Sequence, residues 1–245
     1  MVKITQSSLR ESQHILIHKL ADSIEAHWKR YFSLSPYTIP EDMGYVEGSL
    51  EGEKLIIENH CYQTPKFRKL HLELAQIGHH LDILHCVMFP RPNYALPMFG
   101  VDLVGGKKGI SAAIVDLSPI TSDRILPLSY RNVLANLPKF DFSQQRDLPS
   151  WGDIFSEFCL FIRPANVGEE DAFLDLVHNF LTLHCKIAIT TDPVSLPNQE
   201  AEILAGQNYY CTKQQKNDKT RRVLEMSFGR EWTERYLTTM LFDAP

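Results

Sequence analysis

The sequence predicts an α/β fold, a three-layer α/β/α sandwich with a central antiparallel sheet flanked by helices on both faces. Three observations carry this. Between Gly44 and Asp116 the 245-residue chain runs as apolar, alternating segments broken by short turns, the mark of strands folding back on their neighbours. Segments with apolar residues at helical spacing lie on either side of that block. The strands themselves are apolar on both faces: Val87 and Phe89 share one with His85, while Leu84, Cys86, Met88, Val101 and Leu103 occupy the other. A sheet greasy on both sides must be covered on both sides.

Taken in order, Leu9 to Phe32 carries Ile15, Leu16, Leu20, Ile24 and Trp28 on one side of an amphipathic helix. Six strands follow, at 44–50, 54–62, 66–76, 81–89, 98–104 and 110–116, with Pro65 marking a break. The proline-rich stretch from Pro119 to Pro149 reads as irregular chain with one helix near Ser129–Asn136. Phe158–Arg163 reads as a further strand. Glu169–Glu170 opens a helix to about Ile189, and helices over Asn198–Gln215, Thr220–Phe228 and Trp232–Leu241 follow. No repeat, low-complexity tract or linker divides the chain, so residues 1–245 are expected to form a single domain.

With 44% hydrophobic and 22% charged residues the composition is that of a globular protein. A net charge of −5 gives no drive toward nucleic acid. No apolar run approaches the length of a membrane span and no secretory signal opens the chain, so no membrane association is expected. The five cysteines (Cys61, Cys86, Cys159, Cys185 and Cys211) are odd in number and scattered, which suits free thiols in a reducing cytoplasm. There is no Cys-x-x-Cys pair for zinc or an iron–sulfur cluster and no G-x-G-x-x-G after a strand. Gly105-Gly106-Lys107-Lys108-Gly109 lacks the spacing of a phosphate loop. No means of holding a nicotinamide, a flavin or ATP is evident.

The polar residues inside the strand block are the chemical clue. Residues equidistant from a hairpin turn end up opposite each other on one face. Glu73 and His85 are symmetric about Gly78-His79-His80, His85 and Asp102 about Pro92-Asn93-Tyr94-Ala95, and Asp102 and Ser111 about Gly106-Lys107. Hairpin folding thus predicts a row of Glu73, His85, Asp102 and Ser111 about 14 Å long, suited to a large flat ligand. Under an apolar cover such groups cost free energy unless paired or functional. His71, Glu73 and His85 could serve as a two-histidine, one-carboxylate metal triad with Asp102 in reserve. Alternatively, Glu73 and Asp102 flanking His85 form a coupled set able to deliver protons near neutral pH.

A second cluster, Lys213, Lys216, Lys219, Arg221 and Arg222 against Asp218 alone, is basic in an acidic chain. It suits docking of an acidic protein, and cations here or Arg146 could hold carboxylates at a pocket edge.

The segments FRKLHLELAQIGHHLDILHCVMFPRPNYALPMFGVDLVGG, LPSWGDIFSEFCLFIRP and KQQKNDKTRRVLE closely resemble the ferredoxin-dependent bilin reductases, over a span from about Glu11 to Asp243. The resemblance implies an α/β/α sandwich that binds biliverdin IXα between the sheet and the C-terminal helices. It implies no metal or organic cofactor of the protein's own. Reduced ferredoxin (2Fe-2S) supplies single electrons and the pigment passes through radicals. The implied reaction is four-electron reduction of biliverdin IXα to phycocyanobilin, the D-ring vinyl group first and the A ring second. By motif, Asp102 and His85 resemble the residues that contact the pyrrole nitrogens and lactam oxygens and relay protons, and Glu73 resembles the vinyl-group donor. His71 resembles its hydrogen-bonding support. Ser111, Arg146 and Lys219 match positions that hold the propionates; Trp151 and Asn217 match further pocket positions. Lys213, Lys216, Arg221 and Arg222 are left as the candidate ferredoxin-docking face. The chain is expected to act as a cytoplasmic monomer, with a non-haem metal enzyme or a non-catalytic bilin carrier as alternatives.

Overall fold

The computed structural model describes residues 9–245. One antiparallel sheet is built from β1 (Ser35–Pro36), β2 (Tyr45–Leu50), β3 (Glu53–Gln63), β4 (Phe67–Ile77), β5 (Leu81–Pro90), β6 (Met98–Gly106), β7 (Gly109–Ser118) and β8 (Leu160–Ile162). From β3 to β8 every strand pairs with the one before it, and β1 pairs with the end of β3 beyond the part that β2 covers. Short turns between apolar runs dictate this meander. β1 has only two residues and no alternation to read, so the sequence reading missed it. β8 is shorter than the predicted 158–163 because Cys159 N–H turns back to the Ser156 carbonyl.

Both faces are covered, as the apolar pattern requires. Leu72, Leu74, Leu84, Cys86, Val101 and Leu103 meet α1 (Ile15–Tyr31) and α3 (Val167–Thr190), with α2 (Leu128–Leu134) alongside. On the other face Ile57, Ala75, Val87, Phe89 and Met98 belong to a second core with α4 (Pro197–Gln214), α5 (Asp218–Phe228), α6 (Arg230–Tyr236) and the π-helical turn Leu237–Leu241. The approach of α4 depends on one glycine. A Cβ on Gly206 would stand 1.8 Å from the Ile120 carbonyl oxygen, so any side chain there pushes the helix off the chain that leaves β7.

Several helix ends differ from expectation. α1 begins at Ile15, not Leu9. His14 is extended, its N–H bonds to Asp82, and its ring Nδ1 accepts from Leu16 N–H. The residues before it form a turn, and Ile15 itself is 59% exposed. The predicted helix 232–241 is α6 followed by the π-helical turn. Asn166 and Asn217 cap α3 and α5 through their side chains, which explains why both start ahead of the predicted residues. Contrary to the reading of apolar runs, α3 is, among the described residues, a helix long and apolar enough to cross a membrane. Here its buried residues join the core formed with α1 and the sheet.

Candidate active site

Strand register brings the central residues together as the hairpin symmetry predicts. Glu73 pairs with His85, and His85 with Asp102. All three project toward the C-terminal helices, since Val87 on the same side of β5 belongs to that core. Exposure is graded along the row: Glu73 is 8% exposed, the His85 side chain 12% and the Asp102 side chain 43%. The cover therefore shields the glutamate end and leaves Asp102 at the mouth.

Ser111 does not complete the row. The register slips between Val104 and Gly105, so that Val104 faces Ala112 while Gly105 faces Ile110. Ser111 is the extra residue of this bulge, its Oγ donates to the Val104 carbonyl, and Ile114 stands opposite Asp102. The fourth polar member lies at the other end, where Asn59 of β3 pairs with Glu73. The row is Asn59, Glu73, His85, Asp102, and its length remains about 14 Å.

At the buried end the hydrogen bonds form a closed set. Asn59 Nδ2 donates to the Met43 carbonyl at 2.7 Å and to Tyr236 Oη at 2.9 Å. Its oxygen therefore faces His71 Nε2, 2.7 Å away, which fixes the histidine proton on Nε2. Tyr236 Oη lies 3.1 Å from Glu73 Oε2. At the open end His85 Nδ1 donates to Asp102 Oδ1 at 2.5 Å. His71 Nδ1 and His85 Nε2 are buried with no protein partner, and the two rings stand edge to face at 6.0 Å. Such unpaired polar atoms under an apolar cover are what a polar ligand would satisfy.

Electrostatics separates the four groups. Burial, with Lys69 and His85 adding repulsion, drives the His71 pKa well down, so this ring is neutral. Burial also raises the Glu73 pKa, against the pull of His85 and the Tyr236 hydroxyl. For His85 burial opposes charge, yet Asp102 and Glu73 outweigh it and its pKa rises. An imidazolium thus sits between two carboxyls, one of which is biased toward its protonated form. Glu73 and His85 each shift the other's pKa, so the two titrate as a coupled pair.

His85, Gly100, Asp102, Asp116, Tyr210 and Gln214 line a cleft of about 270 Å³, its mouth included. The other predicted site residues fall around it unevenly. Arg146 Nη1 donates to the Ser111 carbonyl and stacks over Phe161, so these two are neighbours at the exposed end of β7. Trp151 packs beside Phe155, which contacts the cleft. Asn217 Oδ1 caps α5, and Lys219 is exposed on its first turn. In the basic cluster Lys213 is paired with Asp153 and Arg221 with Glu234, whereas Lys216 and Arg222 are exposed. The His71–Glu73–His85 metal reading meets a different arrangement: His71 is committed to Asn59 and His85 to Asp102. Among the described residues no group of three or more His, Cys, Asp or Glu is gathered to hold a metal ion.

Four features escaped the sequence reading. Asn59 was within reach, since folding β3 on β4 about Lys66 places it against Glu73. Tyr236 was not, because strand symmetry says nothing of which helix residue meets the sheet. Lys69, fully buried on the strand of His71 and Glu73, donates to the Met240 carbonyl and pairs with Asp243, which Arg68 also holds. That pairing fastens the C-terminal segment so that Phe242 packs edge-on against His85 at 5.4 Å. Asp116, opposite Gly100, accepts from Ser118, from Ser156 Oγ and from Ser156 N–H. Burial nevertheless pushes its pKa up to about 6.

The family model described as ferredoxin-dependent bilin reductase matches residues 21–243. A phycocyanobilin:ferredoxin oxidoreductase of Trichodesmium erythraeum is 59% identical over 245 residues, covering 100% of both chains. A protein of the same name from Synechococcus elongatus is 56% identical over 246 residues, covering 100% of this chain and 99% of its own. Among solved structures, phytochromobilin synthase from tomato in complex with biliverdin superposes with a TM-score of 0.74 at 15% identity, over 92% of this chain and 82% of that one. The last shows the shared fold, an antiparallel sheet between helical layers. The chain belongs to the ferredoxin-dependent bilin reductase family.

Proposed function

We propose that the protein reduces biliverdin IXα to phycocyanobilin, taking four electrons singly from reduced ferredoxin and four protons through the Glu73–His85–Asp102 set. It acts as a single-domain cytoplasmic monomer with no cofactor of its own. The observation that carries this reading is the row itself: a buried carboxyl, an imidazolium and a half-open carboxylate on adjacent strands, with two ring nitrogens unpaired beneath the C-terminal cover. Such a line offers protons at successive points along an extended pigment, which suits Glu73 as donor to the D-ring vinyl group and His85 with Asp102 as donors toward the pyrrole nitrogens, lactam oxygens and A ring. The shielded end limits side reactions of the bilin radicals. Ser111, Arg146 and Lys219 hold the propionates near the rim, Trp151 and Asn217 frame the pocket, and His71 supports Glu73 through Asn59.

The test is anaerobic turnover of biliverdin with ferredoxin, its reductase and NADPH, followed by absorbance and product chromatography. Glu73→Gln is expected to bind the pigment and fail at vinyl reduction; normal phycocyanobilin from that variant refutes the donor assignment. Asp102→Asn is expected to hold pigment without completing turnover. Unchanged absorbance with the unsubstituted protein would leave a bilin carrier.

A further inference from the structure

The buried carboxyl at the shielded end needs a hydrogen-bonding environment that tolerates both of its protonation states, and residues on two other elements are arranged to give one. Tyr236 Oη lies 3.1 Å from Glu73 Oε2 and 3.0 Å from Asn59 Oδ1, and it accepts from Asn59 Nδ2 at 2.9 Å. The hydroxyl has one proton and two acceptors in reach. With Glu73 ionised, the tyrosine donates to the carboxylate. With Glu73 protonated, the carboxylic acid donates to Tyr236 Oη, and the hydroxyl turns to Asn59 Oδ1, whose second lone pair remains beside the bond from His71 Nε2. Neither the Tyr236 hydroxyl, the Asn59 amide nor Glu73 Oε2 is orphaned in either state, which matters because an unpaired buried polar group is costly.

We propose that Tyr236 and Asn59 are positioning residues for the proton-donating step, a two-way hydrogen-bond switch that holds Glu73 in place before and after it gives up its proton. This rests on the reading of Glu73 as a proton donor. The ring of Tyr236 is held independently of its hydroxyl, by stacking on Trp232 at 4.6 Å, which in turn packs on Phe228 at 4.4 Å. The amide of Asn59 is fixed by the Met43 carbonyl. Beyond Tyr236 the Asn59 amide bonds only the Met43 carbonyl and His71 Nε2, and an amide does not pass protons, so the switch positions Glu73 without relaying its proton onward. The titratable and charged groups facing Glu73 are His71 and Lys69 on β4, Cys61 on β3, His85 on β5, Asp102 on β6 and Tyr236 on α6; of these, Tyr236 is the hydrogen-bond partner on the helical side.

Tyr236→Phe isolates the hydroxyl while keeping the stack. The carboxylate loses a charge-assisted bond, the stronger of the two alternatives. The infrared carbonyl band of protonated Glu73, assigned by its loss in Glu73→Gln, is expected to persist to higher pH in Tyr236→Phe than in the unsubstituted protein, with no pigment present. With biliverdin bound, single-turnover vinyl reduction is expected to slow roughly tenfold while pigment affinity holds. Asn59→Leu, which removes the second acceptor, is expected to slow the same step with the Tyr236 hydroxyl intact. A Glu73 band that titrates at the same pH in Tyr236→Phe overturns the proposal. The band shift is read without turnover, so it stands apart from the donor assignment, which fails instead if Glu73→Gln reduces the vinyl group normally.

Discussion

The two faces of the sheet each bury a histidine, and the two rings behave oppositely. His184, on α3, lies among Phe67, Phe99 and Tyr130, and the Tyr130 hydroxyl is its hydrogen-bond partner at 3.0 Å. With no carboxylate near, burial alone lowers its pKa to about 3 and it stays neutral. His85, under the C-terminal helices, is opposed by burial too, yet Asp102 and Glu73 raise its pKa. Burial opposes the charged form of both rings, and neighbouring charge decides which one is biased toward protonation. One face is therefore a packing surface with a neutral histidine bonded through Nδ1 alone, and the other carries ionisable groups that burial penalises and neighbouring charges oppose or support.

The largest effect should come from the packing face. Phe173 is fully buried on α3 among the residues that cover the sheet. Phe173→Ala is expected to lower unfolding stability by about 3–5 kcal/mol, read as a fall in the urea midpoint at constant slope. The folded fraction should keep the bilin spectrum, since the row lies on the other side. A selective loss of reduction at unchanged stability would break the division between the faces.

The functional face should respond asymmetrically to loss of one charge. Lys69 is fully buried, whereas Asp243 lies nearer solvent and is also held by Arg68. Asp243→Asn leaves a buried ammonium without a counter-charge and is expected to cost about 3 kcal/mol. Lys69→Met leaves Asp243 on Arg68 and should cost clearly less. Equal losses from the two substitutions would show that the pair matters only as packing.

Asp116 sharpens the comparison through pH. Its pKa is about 6 folded against 3.8 for an ordinary aspartate. The folded state holds the proton more tightly, so the stability it contributes is full below the unfolded value and is lost as pH rises through about 6. The size is about 3 kcal/mol. Asp116→Asn should flatten that part of the stability profile between pH 4 and 7, measured by denaturant titration; an unaltered slope would assign it to other groups.

How much of this was legible follows from what sequence symmetry encodes. Strand pairing is local and periodic, so Glu73, His85 and Asp102 could be aligned by counting from the turns. Ser111 failed because a bulge inserts one residue, so that Ile110 and Ala113 join the same core three positions apart, and counting across the Gly106-Lys107 turn assumes an unbroken period of two. The helical layers were legible from periodicity, but not which helix residue would meet which strand residue. Tyr236 over Glu73 and Asp243 beside Lys69 join positions far apart in the chain, and only packing creates them. Trimming at helix ends has the same origin, since caps such as His14 and Asn217 act through side-chain bonds that propensity does not reveal.

The smallest effect on stability should come from the basic surface, where the functional effect can still be large. Lys216 and Arg222 are exposed, so Lys216→Glu and Arg222→Glu are expected to shift unfolding by no more than about 0.5 kcal/mol. If this face receives ferredoxin, electron delivery should fall in both variants. The loss should be greater at about 0.01 M ionic strength, where charges act over about 30 Å, than at 0.15 M, where they act over about 8 Å. Arg221→Glu separates docking from local structure, because Arg221 is already neutralised by Glu234 at 2.6 Å and contributes less outward field. It should weaken delivery less than Arg222→Glu while costing up to about 1 kcal/mol of stability from the broken surface pair. Reduction rates measured against salt for the three variants decide the matter: a salt dependence identical to that of the unsubstituted protein in all of them places ferredoxin elsewhere on the surface.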